Sequence, residues 1–395
     1  MGPNAGSMRG LSLIELMVAL VISSLIMIGL LQVFMTTRIT YQADEGLSRL
    51  QENGRFAMDF LAHDIRQASY MGCLGSLKPS DIGDPTLGAS KTKLLNFLSS
   101  SAGNGYDFTL GIAGYEFPST GPTDSYTLPT LYPPTLSTST PVMPAGLVPS
   151  GVAPGSDVLI IRYADPDGFQ LAPDPSGKFN DDNQIYVTKT SALSAGQILI
   201  ASDCGMTTVF QASTVTVPAG PGVTTVAHAA SAGTPGNRCT TWGSSGCPYR
   251  YDFSDGAEIS SFKIDVYYIG MGSNGGPSLF RNSFDTGSVT ATELVGGVEN
   301  MQILYGINID GTPPLSTQQY VTAANMPTDA TTGLPDWQRV QSVRLALLVS
   351  TSNVSGIADT VSDTSTYSVD GTTVTPNADG RRRRVFTTTI DVRNR

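Results

Sequence analysis

An α+β fold is predicted from three observations. Residues 11–35 form an apolar run broken by one charge, Glu15. No proline occurs between Pro3 and Pro79, and the run passes into a stretch whose apolar residues recur three or four apart. Past residue 155 the period changes to two, with β-branched and aromatic residues alternating with polar ones. The expected architecture is a long N-terminal helix, hydrophobic then amphipathic, packed on a C-terminal, mainly antiparallel β-sheet domain. Long loops rich in Ser, Thr, Pro and Gly join the strands.

The apolar run is long enough to span a bilayer, since about 20 helical residues cross a hydrocarbon core of ~30 Å. A carboxylate in lipid costs ~2.5–3.5 kcal/mol at the helix centre and less near an end. Glu15 therefore needs a partner. Arg9 is the only charged side chain among residues 1–10, which favours a cytoplasmic N-terminus and an exported remainder. No A-x-A-like signal-peptidase site follows the run.

The next stretch has two faces. Leu47, Leu50, Gly54, Ala57, Leu61, Ile65 and Ala68 make an apolar stripe. Glu52, Arg55, Asp59, His63 and Arg66 alternate in sign on another face, which suits i,i+3 and i,i+4 pairs. His63 reads as part of this solvated ladder. Gly72 and Gly75 are stop signals, and Pro79 lies just beyond. The whole helix would run about 60 residues, or ~90 Å at 1.5 Å per residue. Gly29, Gly46 and Gly54 are its weak points.

Strands are expected at 157–163, 184–189, 197–201, 207–211, 258–269, 278–281, 293–309 in pieces, 341–350 and 384–392. Phe262, Ile264, Val266 and Tyr268 share one face of their strand, as do Val343, Leu345, Leu347 and Val349 of theirs. Few helices interrupt them, so antiparallel pairing through turns is favoured over βαβ crossovers. Residues 86–154, 218–247 and 354–380 read as long loops.

Composition limits the function. A formal charge of −10 argues against a nucleic-acid surface. The four cysteines, Cys73, Cys204, Cys239 and Cys247, all follow the apolar run. In an oxidising compartment they allow two disulfides with three connectivities. Cys239–Cys247 is favoured as a local staple, and Cys73–Cys204 as a clamp from helix end to sheet. Zinc is the rival reading, but no paired C-x-x-C occurs. Asp165, Asp167, Asp174, Asp181 and Asp182 are a weak calcium candidate whose spacing does not match an EF-hand loop. No G-x-S-x-G, H-E-x-x-H or P-loop appears. The second histidine, His228, lies in the low-complexity stretch TTVAHAASAG. Neither an enzyme activity nor a cofactor is expected. Arg381, Arg382, Arg383 and Arg384 precede the last strand and are a candidate subunit contact.

Gly10-Leu11-Ser12-Leu13-Ile14-Glu15 resembles the processing site of type IV prepilins and pseudopilins. The resemblance implies cleavage by prepilin peptidase between Gly10 and Leu11 and N-methylation of the new amine. It also implies that Glu15, as fifth mature residue, pairs with the amine of a neighbouring subunit. The family usually has Phe after the cut, where this chain has Leu11. The stretches QENGRFAMDFLAHDIRQASYMGC, ELVGGVENMQILYGINIDG and RRRRVFTTTIDVRNR resemble PilW-type minor pilins, which are related to the J-type pseudopilins of type II secretion. They imply a low-abundance subunit of a tip complex that primes pilus assembly and presents a non-pilin adhesin, serving twitching motility and adhesion. The implied partners are other minor pilins, the major pilin, the adhesin and, before assembly, the inner membrane. The implied location is a single inner-membrane pass with a periplasmic body, then the pilus tip. The chain would divide into leader 1–10, membrane or filament-core helix 11–36, amphipathic helix 37–72, loop-rich insertion 73–155 and β-rich body 156–395. Size agrees with a minor role, because so large a body would crowd a repeating pilin lattice. A secretion pseudopilin and a membrane-anchored periplasmic enzyme are the alternatives.

Overall fold

The computed structural model describes residues 12–73, 81–83, 93–99, 110–129, 139–144, 146–230, 233, 235–284, 289–309, 316–330, 333–351, 365–377 and 379–394. One helix, Leu13–Gln67, runs 55 residues, or ~80 Å at 1.5 Å per residue. Residues 12–41 are all exposed, so the apolar half stands clear of the body. The amphipathic half buries Leu50, Gly54, Ala57, Leu61, Asp64 and Ile65. All of these but Asp64 belong to the expected apolar stripe. The helix ends earlier than its stop glycines suggest. Ser69 takes a left-handed φ of 64°, and its N–H donates to the Arg162 carbonyl at 3.0 Å. The sheet thus captures the chain before Gly72 is reached.

The body is built mainly on antiparallel sheets. In the ten-stranded sheet the first residues of the central strand Glu258–Met271 pair with Ile198–Ser202, and Phe262–Tyr267 pair on the opposite side with Val158–Ala164. On the side away from Val158–Ala164 the strand also pairs with Pro277–Phe284, which pairs in turn with Val289–Gly296. Gly297, with φ 84°, turns the chain into a four-stranded antiparallel sheet ordered Gln319–Val321, Val298–Ile307, Val340–Ser350, Arg383–Asp391. The helix lies against the last strand and also touches Val340–Ser350, Val289–Gly296 and Val158–Ala164.

One hydrophobic core joins the helix stripe to both sheets, with Leu61, Ile65, Ile160, Ile264, Met301, Leu345 and Ile390 among its members. A second surrounds Trp242, with Phe97, Leu199, Phe210 and Ile259. The nine expected strands are all found, most within two residues of their expected ends.

The expected loops hold more structure than their composition suggests. Leu94–Asn96, Ile112–Tyr115 and Ser125–Thr127 are strands within 86–154, Thr224–Ala227 lies within 218–247, and Tyr367–Val369 and Thr372–Thr375 lie within 354–380. Ile112–Tyr115 pairs directly with Val158–Ala164, so part of the expected insertion belongs to the main sheet.

Candidate functional site

The exposed end of the helix carries the charged residue of greatest interest. Ser12 is the N-cap, and Glu15 closes a capping box with it. Glu15 N–H donates to Ser12 Oγ at 3.3 Å, while Ser12 N–H and Oγ donate to Glu15 Oε2 at 2.9 and 3.0 Å. Orphan donors at a helix start are satisfied in this way, and a carboxylate there also faces the positive end of the macrodipole. All three bonds leave Glu15 Oε1 without a hydrogen bond among the described residues. The carboxylate therefore has a partner within its own chain and one oxygen free. Gly10 and Leu11 lie outside the described residues. Past this cap the helix carries an apolar stretch long enough to cross a membrane, none of it buried.

At the other end the helix is fixed by polar contacts inside the apolar interface. Asp64 accepts a hydrogen bond from Tyr267 OH and faces Arg281 Nη1 at 3.6 Å. Beside them Asp265 accepts from Tyr163 OH at 3.0 Å and from Ser283 Oγ. Burial pushes the Asp265 carboxyl up, against the hydrogen bond from Ser283 and the charge of Arg281. Burial, then the neighbouring Asp64, raises Tyr267 as well. Misplacing the helix by one turn would strand these groups without partners. Cys73 is bonded to Cys204 and Cys239 to Cys247. The first bond ties the chain just after the helix to the turn between Ile198–Ser202 and Thr207–Gln211.

The remaining residues singled out in the sequence do not converge. Asp174 accepts from Ser176 and Lys178, and Asp181 from Asn183, Gln184 and Tyr186. Asp182 pairs with Arg250, Asp165 lies 3.8 Å from Lys263, and Asp167 N–H donates to Asp165. Among the described residues no group of three or more His, Cys, Asp or Glu side chains could hold a metal. In this structure these carboxylates cap turns and pair with cations. The arginine run also divides. Arg383 is buried against Glu299 at 2.6 Å and Asp379 at 2.7 Å, and Arg381 reaches Glu299 at 3.4 Å. Those two make internal ion pairs. Arg384 remains exposed, stacked 5.6 Å from the Phe386 ring centroid.

One buried polar site departs from the sequence reading, and a second has no counterpart in it. His228 is fully buried and stacked on Trp242 at 3.6 Å, so it does not sit in an exposed loop. Burial lowers it to about 4. Glu116 and Asp157 are both buried where Ile112–Tyr115 meets the four-stranded sheet. Asp157 accepts from Ile303 N–H at 2.9 Å. Burial first, offset in part by hydrogen bonds from Ala323 and Thr322, takes Glu116 up to about 7. Asp157 is also raised, by burial and by the charge of Glu116. The local sequence holds no signal for the Glu116–Asp157 site, because its partners Ile303, Thr322 and Ala323 are distant in the chain.

Two family models match the chain. Residues 266–394 match the type IV pilus-assembly protein W family, PilW. Residues 7–31 match the prokaryotic N-terminal methylation motif. Neither a comparison with curated proteins nor one with solved structures returned a match. The first region contains the four-stranded sheet and part of the central strand, and the second contains Ser12 and Glu15. The C-terminal part of the chain is thus similar to the PilW type IV pilus-assembly family, and its N-terminal part carries the prokaryotic N-terminal methylation motif.

Proposed function

We propose that this minor pilin sits in a tip complex that primes assembly of the type IV pilus and helps to present a non-pilin adhesin. The observation that carries the reading is the exposed apolar half-helix, ending in a capped carboxylate with a free oxygen. Before assembly the half-helix would be covered by the inner membrane, with the body in the periplasm. In the pilus it would be covered by the apolar helices of other minor pilins and the major pilin. Prepilin peptidase would cut between Gly10 and Leu11, and Glu15 Oε1 would accept from the new terminal amine of a neighbouring subunit. This bond adds to the Ser12 cap, which uses Oε2. The role is structural, with the body serving as a docking surface.

The test is Glu15→Ala in a piliated host. Pilus number should fall several-fold, while the melting temperature of the detergent-solubilised protein stays at the wild-type value. Wild-type piliation in the variant would contradict the assembly role of Glu15.

A further inference from the structure

The last strand, Arg383–Asp391, is an outer strand of the four-stranded sheet and pairs on one side with Val340–Ser350. The hydrogen-bond phase follows from two contacts at its ends. Val392 N–H donates to the Gln341 carbonyl at 3.0 Å, and Thr351 N–H to the Arg382 carbonyl at 2.9 Å. Antiparallel pairs alternate between bonded and non-bonded positions. Arg384, Phe386, Thr388 and Ile390 therefore bond inward. Val385, Thr387, Thr389 and Asp391 turn their N–H and C=O groups outward. No described residue bonds to those outward groups.

Exposed edges are normally blunted by bulges, prolines, lysines or covering loops. The outer strand of the large sheet, Val289–Gly296, has a register shift opposite Leu279/Phe280. Arg383–Asp391 has none over nine paired residues, and it contains no Pro, Gly or Lys. Beside it a groove of about 610 Å³ lies against the helix, lined by Phe56, Phe386, Arg55 and Arg384 among others. Phe56 and Phe60 are each about half exposed on the same helix that leaves its apolar half uncovered.

We infer that the outer edge of Arg383–Asp391 takes an extended strand from a neighbouring pilus subunit. The edge itself specifies the occupant's chemistry, because only an extended backbone matches alternating N–H and C=O groups at this spacing. The groove adds a preference for an aromatic or long aliphatic side chain on the incoming strand. The neighbour's identity rests on the pilus reading above. Subunits covering the apolar half-helix lie along the same axis, and the groove begins only ~24 Å beyond Met35 at 1.5 Å per residue.

The experiment uses the full-length protein, affinity-purified in detergent from membranes of piliated cells, with co-purifying pilins identified by mass spectrometry. Thr387→Pro removes one outward N–H and no inward bond, which edge positions tolerate. Its melting temperature should match wild type, while recovery of other pilus subunits falls about tenfold, the loss of roughly one backbone hydrogen bond with added steric block. In the wild-type complex the Thr387 and Thr389 amides should exchange slowly with deuterium, and quickly in the isolated protein. This measurement decides the matter if the proline variant fails to fold. Undiminished recovery by a folded Thr387→Pro, or fast exchange in the complex, overturns the edge. Absence of every pilus subunit from the wild-type eluate would instead overturn the pilus reading beneath it.

Discussion

Ser12 and Glu15 hold each other at the start of the exposed apolar half-helix, and S-x-x-E is a pattern a sequence displays openly. His228 and Glu116 are different. Each is buried by the tertiary packing of other segments, so its own residue pattern does not announce it. They also set opposite pH dependences. His228 has a folded value of about 4 against 6.5 when free. The unfolded chain therefore binds a proton that the folded chain refuses, and stability is lost as pH falls from about 6.5 to 4. The loss would be at most ~3 kcal/mol for this group. His228→Phe, which keeps a ring against Trp242, should flatten that part of the curve in melts between pH 7 and 4.5. Glu116 goes the other way. With a folded value of about 7 against 4.5, it holds its proton only when folded. Its contribution is full below pH 4.5 and lost as pH rises through 7. Glu116→Gln should melt at a higher temperature than wild type at pH 8 and show no such gain at pH 4.5.

The helix shows which features of an element are legible. Its apolar stripe was readable because burial follows the 3.6-residue period. Asp64 was not, since its partners Tyr267 and Arg281 lie about two hundred residues on. The alternating strands were readable for the same reason as the stripe. Ile112–Tyr115 was hidden by glycines that the packing demands: a Cβ at Gly111 would meet Ser69 Oγ at 1.8 Å, and one at Gly114 would meet Tyr305 OH at 1.8 Å. Gly54 has a similar purpose. Read in the sequence as a weak point, it is the place where the Phe386 ring touches the helix, with a Cβ there only 2.3 Å from the ring. Gly54→Leu should therefore destabilise the body by about 1–3 kcal/mol or more despite its better helix propensity. Chemical denaturation in detergent checks this, and a stabilised variant would show that the helix does not dock through this contact.

At the scale of the molecule, an ~80 Å helix joins an exposed apolar rod to a β body. The PilW match covers the body's C-terminal sheet and the methylation motif covers the start of the rod. The intervening strands pack into the same core as that sheet and the amphipathic half of the helix. The Cys73–Cys204 bond and the Asp64 contacts fix the rod's direction relative to the body. The proposed function requires that residues 1–10 be cut away before the rod enters a pilus. The most direct test is mass spectrometry of the N-terminus of the protein recovered from sheared pili. The account predicts a chain that begins at Leu11 and carries a methylated amine. A chain in the pilus fraction that still begins with residues 1–10 would contradict it.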